Sequence, residues 1–320
     1  MSDTFPRQHA RTQRLTLGEP RNFTVSPDGA RIVFARSATG SDPVNMLWVL
    51  DVESGTERAV LDPRNIPADL AALTDEEKRR RERAREGAGG VVSYSCDADA
   101  TKAVTILGGQ LFVVDLLTDA VSTPAVAPGV FDARLSPDGT RIAYVRGPSL
   151  CVCDLAGNER VIAHEDSANV SWGSADFIAA EEMGRQRGYW WSPEGTHIAA
   201  CRVDESPVDV WHIADPAHPD RAAMEHRYPA AGTQNALVEL AVINVATSAR
   251  VPVSLPVHHE YLNSVSWTDG GLIAQTQTRD QRAVTVSRIN PSTGDCTTIF
   301  EDIDDAWVEL VAGVPFVDSH

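Results

Sequence analysis

The sequence predicts an all-β fold, a β-propeller of four-stranded antiparallel blades. Three observations predict it: a near-copied strand-turn-strand unit, a second hairpin after each copy, and return of the pair at about the 40 to 50 residues of one blade. The copies are Val25-Ser-Pro-Asp-Gly-Ala-Arg-Ile-Val-Phe-Ala-Arg36, Leu135-Ser-Pro-Asp-Gly-Thr-Arg-Ile-Ala-Tyr-Val-Arg146 and Trp191-Ser-Pro-Glu-Gly-Thr-His-Ile-Ala-Ala-Cys-Arg202. In each, Pro pre-sets φ, Gly supplies the left-handed position, and a short apolar strand follows.

Taken in order, the first copy is followed by an apolar strand at 47–52 and a turn at Glu53-Ser-Gly-Thr. Residues 65–90 break the rhythm. They contain Leu73-Thr-Asp-Glu-Glu-Lys-Arg-Arg-Arg-Glu-Arg-Ala-Arg85, where Thr74 and Glu77 have capping-box spacing and no β-branched residue follows until Val91. This predicts a polar helix inserted between blades, which by its residues alone is a solvated helix held by charge pairs. Residues 91–126 restore the blade layout, with Asp97-Ala-Asp-Ala in the turn position and a strand at 111–117 before Thr118-Asp-Ala. The second copy leads to a strand at 152–155 and the turn Ala156-Gly-Asn-Glu. The third is followed by a second interruption, 203–236, rich in Asp, Pro and His. A further blade occupies 263–300, its strand at 284–289 ending in Asn290-Pro-Ser-Thr-Gly294, and another is barely begun at 306–316. The expectation is an incomplete array of five to six blades filling 1–320, with unpaired strands at its open ends.

At 42% hydrophobic and 23% charged residues, the composition is that of a globular protein. The formal net charge of -17 argues against a phosphate-binding surface, which needs clustered Lys and Arg, so nucleic acid is not an expected partner. An acidic field would favour a cationic ligand. The first 20 residues carry Arg7, Arg11 and Arg14 with no apolar run of signal-peptide length, and no window approaches a membrane span. A cytoplasmic protein with no membrane partner is expected. Five cysteines, odd in number and without CxxC spacing, support neither a disulfide framework nor a metal site; Cys151 and Cys153 share one strand face and read as small buried residues.

No GxSxG, GxxxxGK[ST], HExxH or GxGxxG motif occurs, so no residue is assigned a catalytic role and no cofactor is expected. His258 and His259 fall in a loop and read as structural. What stands out is Phe177-Ile-Ala-Ala-Glu-Glu-Met-Gly-Arg-Gln-Arg-Gly-Tyr-Trp-Trp-Ser-Pro193. Glu181 and Glu182 would point to opposite faces of a regular strand, so they can grip one cation only if the backbone leaves β geometry; a short helical or irregular turn is predicted near 181–186. Arg185 and Arg187 are placed to offset the two charges. A primary ammonium suits two carboxylates. The bland alternative is a surface acidic pair beside a core aromatic patch.

The pattern Glu-Glu-x-x-Arg-x-x-Gly-Tyr-Trp-Trp at 181–191 resembles the dipeptidyl-peptidase IV family of prolyl-oligopeptidase-type serine peptidases, especially its cytoplasmic members. Arg227-Tyr-Pro-Ala-Ala-Gly-Thr-Gln-Asn235 is similar to a second family stretch, Tyr-Pro-Lys-Ala-Gly followed by Asn-Pro, with Ala230 in place of the Lys and Ala236 in place of the Pro. The charged segment 74–85 running into Val91-Val-Ser-Tyr94 looks like an arginine-bearing insertion. The resemblance implies an eight-bladed propeller capping an α/β-hydrolase domain. It implies that Glu181 and Glu182 bind the free α-amine of a peptide substrate so that dipeptides are released, and that Arg85, with Arg83 in reserve, binds the carbonyl between the first two residues. Arg185 would support the glutamates at the substrate-binding site. The nucleophile, aspartate and histidine of the family belong to the hydrolase domain, which is not in these 320 residues. By itself the chain is therefore expected to bind amines weakly or not at all and not to hydrolyse them. The hydrolase domain is the expected partner within the parent protein, and a homodimer is compatible with the resemblance. A non-catalytic propeller scaffold is the alternative.

Overall fold

The computed structural model describes residues 4–66, 73, 77–78, 81–82, 86–268, 270–311 and 313. Two compact units, Met1–Val161 and Ile162–His320, divide the chain. In the first, a short helix α1 (Phe5–Arg11) precedes a sheet of β1 (Arg21–Val25), β2 (Arg31–Ser37), β3 (Val44–Asp51) and β4 (Thr56–Leu61), in that order, with β5 (Gly89–Gly90) pairing parallel to β3. The second sheet is β6 (Tyr94–Cys96), β7 (Lys102–Leu107), β8 (Gln110–Asp115) and β9 (Val121–Ser122). The third is β10 (Val130–Leu135), β11 (Arg141–Arg146), β12 (Ser149–Asp154) and β13 (Glu159–Ala163). Each is a meander in chain order, the layout of a propeller blade.

The repeated turn closes by local hydrogen bonding, which is why it is legible in sequence. The Ser26 amide donates to the Arg31 carbonyl (2.9 Å), the Gly29 amide to the Ser26 carbonyl (2.8 Å), and the Arg31 amide to Ser26 Oγ (2.9 Å). Ser136 and Gly139 repeat this pattern, as do Ser192 and Gly195, and the three glycines sit at φ 69°, 64° and 65°. At 97–102 the Asp97 carboxylate replaces the serine hydroxyl, accepting the amides of Thr101 (2.7 Å) and Lys102 (2.9 Å), and Ala100 takes the glycine position at φ 50°. The segment is therefore the same turn, written with other residues.

Side chains sandwiched between sheets form the cores. Val33, Ala35, Leu47 and Val49 meet Ala103, Phe112 and Val114 between the first and second sheets. Val104, Leu111 and Val113 meet Ile142, Tyr144, Cys151 and Cys153 between the second and third. Cys151 and Cys153 are buried as expected, and burial pushes their thiols up to about 11 and about 12. Of the inserted segment 65–90, the described residues Glu77, Lys78, Arg81 and Glu82 are helical, and Arg81 Nε donates to Glu77 Oε1 at 2.6 Å. Thr74, Arg83 and Arg85 lie outside the described residues.

In the second unit, one sheet combines β14 (Val170–Trp172), β15 (Tyr189–Trp191), β16 (His197–Asp204), β19 (Leu237–Asn244) and β20 (Arg250–Pro252). The other is β21 (Tyr261–Thr268), β22 (Gly271–Gln277), β23 (Ala283–Ile289) and β24 (Cys296–Ile303). Trp190, Ala199, Cys201 and Val242 pack against Leu262, Val265, Leu272 and Ala274 between them. The interruption at 203–236, expected only as a break in rhythm, holds a two-stranded hairpin, β17 (Val210–Ile213) with β18 (Met224–Arg227). Five blade-like sheets are thus present among the described residues, and 306–311 adds no strand. Among the described residues no helix is long and apolar enough to cross a membrane.

Candidate functional site

The predicted acidic motif lies where the first, edge strand of the fourth sheet is interrupted. Both halves pair with β16: Trp172 sits opposite Arg202 and Tyr189 opposite Ala200, so only Cys201 separates the two registers. The Cys201 peptide stitches the base of the excursion. Its carbonyl accepts the Gly173 amide (2.9 Å) and its amide donates to the Gly188 carbonyl (2.7 Å). Glycine is needed at 188 because a Cβ there would stand 2.3 Å from the Ser174 carbonyl oxygen. Gly173 takes a left-handed φ of 81° where the chain leaves the strand.

Inside the excursion runs α2 (Phe177–Glu181), the helical turn that the spaced carboxylates required, one turn earlier than its predicted span. Asp176 caps it, Oδ2 accepting the Ala179 amide at 3.1 Å. Glu181 ends the helix and Glu182 is its C-cap, with φ -106° and ψ -29°. Consecutive residues on a helix are about 100° apart rather than on opposite faces, so both side chains can meet one ligand. Both glutamates are exposed. Their position at a helix C-terminus places the partial negative charge of the last carbonyls beside two carboxylates, a field that selects for a cation.

Arg185 is buried. Its side chain is 4% exposed, and its guanidinium is bound within the protein: Nη2 donates to Asp176 Oδ1 (2.7 Å), Nη1 to the Arg187 carbonyl (2.9 Å) and Nε to the Leu262 carbonyl (2.9 Å). The fork turns inward because Asp176 and two carbonyls offer it buried partners. Arg187 donates to the Tyr189 carbonyl (3.0 and 2.8 Å) and lies 5.4 Å from the Trp190 ring centroid. Gln186 Nε2 closes the turn on the Ala180 carbonyl at 2.6 Å.

The second motif, 227–235, lies beside the same helix. Phe177 packs edge-on to Tyr228 (5.3 Å between centroids) and His226 (6.3 Å), and Tyr228 packs edge-on to Trp211 (5.9 Å). A small cleft between the helix start and this loop is lined by Asp176, Phe177, Ile178, Arg227 and Pro229. Arg227 is held by the Val208 carbonyl (2.6 Å) and Asn169 Oδ1 (3.0 Å), and Asn235 Nδ2 donates to Glu260 Oε1 at 3.0 Å. Arg83 and Arg85, the predicted carbonyl-binding residues, lie outside the described residues.

Sequence reasoning missed Asp176, the structural role of Gly188 and the aromatic hairpin. Asp176 was findable: an acidic residue three places before Ala179, ahead of an apolar run, has N-cap spacing. Gly188 and the hairpin depend on distant chain and carry no comparable local signal.

Four-stranded meander sheets, one with its first strand broken by a carboxylate-bearing helical turn, define a domain of the propeller type. The chain belongs to the family described as the dipeptidyl peptidase IV N-terminal region, whose family model matches residues 105–320. It is 24% identical to dipeptidyl peptidase 8 of Homo sapiens, over 91% of this chain and 40% of that protein. It is 26% identical to dipeptidyl peptidase 4 of Trichophyton tonsurans, over 58% of this chain and 26% of that protein. The fold matches the crystal structure of Porphyromonas gingivalis dipeptidyl peptidase 4 with a TM-score of 0.69 at 20% identity, covering 90% of this chain and 40% of that one. The chain spans about two fifths of the length of the human relative and of the Porphyromonas gingivalis structure, and about a quarter of the Trichophyton tonsurans relative.

Proposed function

We propose that this chain is the substrate-recognition propeller of a dipeptidyl-peptidase IV-like serine exopeptidase, and that Glu181 and Glu182 anchor the free N-terminal amine of peptides so that dipeptides are released. The observation that carries this reading is the pair of exposed, adjacent carboxylates on a capped helical turn whose base is stitched to β16. A primary ammonium has three donors and no acceptor, and two carboxylates can take two or three of them as charge-assisted hydrogen bonds. Anchoring the amine at a fixed place sets how far along the peptide the cut falls, because the chain between amine and scissile bond has a fixed reach. Nucleophilic chemistry would come from a hydrolase domain of the parent protein, and an arginine of the 65–90 insertion, Arg85 or Arg83, would bind the first peptide carbonyl. The exposed Ile299, Phe300 and Ile303 of β24 support packing of further chain against that sheet. A cytoplasmic setting is part of the same reading, as is a homodimer, for which the exposed Val210, Trp211, Ile213 and Met224 offer apolar surface.

The test is hydrolysis of Gly-Pro and Ala-Pro chromogenic amides by the parent protein and by its Glu181→Ala and Glu182→Ala variants. Each loss of a charge-assisted contact should lower kcat/KM by roughly 10- to 100-fold, and N-acetylated substrates should be refused. An active parent indifferent to both substitutions would refute the anchoring role. An inactive parent would leave the non-catalytic scaffold in its place.

A further inference from the structure

We infer that Asp176 and Arg185 form a positioning pair for the amine anchor, holding the helical turn that carries Glu181 and Glu182. The inference rests on the proposed amine-binding role and goes beyond it, because neither residue meets the ligand. Three features of the geometry support it. Asp176 uses both carboxylate oxygens: Oδ2 caps α2 through the Ala179 amide and Oδ1 accepts from Arg185 Nη2. Arg185 lies beyond the other end of the same turn, its own amide donating to the Ala179 carbonyl at 2.9 Å. One ion pair thus joins the residue before the helix to a residue four positions past its end. The remaining guanidinium donors reach outward to fixed backbone, at Arg187 just before β15 and at Leu262 in β21 of the neighbouring sheet. The turn is thereby tied to two sheets, although its glutamates face solvent.

Burial decides what the pair does. The two side chains are 4% and 9% exposed, and removing two charges from water costs enough that such a pair is weak evidence of stability alone. Here each of the three guanidinium nitrogens donates to a fixed partner, with hydrogen bonds that fix orientation as well as charge.

The test separates positioning from general stability. Gly-Pro-amide and acetyl-Pro-amide differ in the amine alone, so the ratio of their affinities reads the anchor and nothing else. It can be measured on the parent protein as the ratio of their competitive inhibition constants against an Ala-Pro chromogenic amide. Wild type should prefer the free amine. Glu181→Gln and Glu182→Gln should abolish the preference, and Asp176→Asn and Arg185→Gln should each reduce it about tenfold, because small misplacements of a charge-bearing group are costly. The double variant should lose no more than either single one, as expected for groups acting as one unit. Arg185→Lys keeps the charge and loses the planar fork, and should fall between wild type and Arg185→Gln. It carries the test if the neutral variants do not fold. Free-amine preference that vanishes in the glutamate variants but survives at the wild-type ratio in folded Asp176→Asn, Arg185→Gln or Arg185→Lys overturns the positioning role alone. A wild-type ratio of one, or one untouched by the glutamate variants, overturns the amine anchor and this inference with it.

Discussion

Gly188→Ala is the sharpest test of how the excursion is closed. The added Cβ would stand 2.3 Å from the Ser174 carbonyl oxygen, 2.4 Å from its carbon and 2.6 Å from the Gly173 carbonyl carbon. All three are backbone atoms, so no side chain can swing aside and the two ends of the loop must spread. Overpacking of this kind costs about 1 to 3 kcal/mol, and spreading strains the Gly173–Cys201 and Cys201–Gly188 hydrogen bonds, each worth about 1 kcal/mol. A total near 3 kcal/mol corresponds to about a hundredfold loss of protection of the Cys201 and Gly173 amides in native-state hydrogen exchange. Gly184→Ala is the matched control: it sits in the same excursion at φ 67° with nothing within 4 Å of where a Cβ would stand, so only left-handed strain of about 1 kcal/mol applies. Equal effects of the two substitutions, or the reverse order, would refute the argument that close backbone approach is what demands glycine at 188.

Three further outcomes are expected. Glu165 accepts Arg202 through both oxygens (2.7 Å each) and Trp172 Nε1 (3.1 Å), and the Arg202 hydrogen bond first of all holds its carboxyl below the usual range. A lowered folded-state value means the unfolded chain binds more protons, so this stabilisation is complete above the ordinary carboxylate range and is lost as pH falls through the lowered value. Glu165→Gln should therefore flatten the acid side of a Tm-against-pH profile, and an unchanged acid slope would contradict the assignment. Burial, the main cause, pushes the Cys96, Cys151, Cys153 and Cys201 thiols up to about 12, 11, 12 and 11, so at pH 8 a disulfide reagent should modify them only on unfolding; rapid native labelling of Cys151 or Cys153 would show the core is open. Asp97→Ser should be nearly neutral, because serine performs the same task in the other turns, whereas Asp97→Ala should cost about 1 to 2 kcal/mol by orphaning the Thr101 and Lys102 amides; chemical denaturation distinguishes the two.

The repeated turns, the hairpins and the resulting all-β blade architecture were legible in the sequence because their hydrogen bonds close within a few residues. Ser26 to Arg31 is self-contained, and the alternation of β2 with β3 needs only the next strand to complete it. The need for a break in strand geometry at Glu181 and Glu182 was equally local, since two neighbours on a strand cannot share a ligand. Tertiary structure decided the rest. Arg185 carries the same local spacing whether it faces the glutamates or the core; the choice was made by Asp176 and by the Leu262 carbonyl, far along the chain. The single-residue gap at Cys201 that turns 173–188 into an excursion exists only through the register of β16 with both β14 and β15. The hairpin of β17 and β18 likewise emerged from pairing across a turn whose composition signals only a loop. Periodicity and turn chemistry report what a segment does with itself; which buried donor finds which distant carbonyl depends on packing, and packing has no local signature.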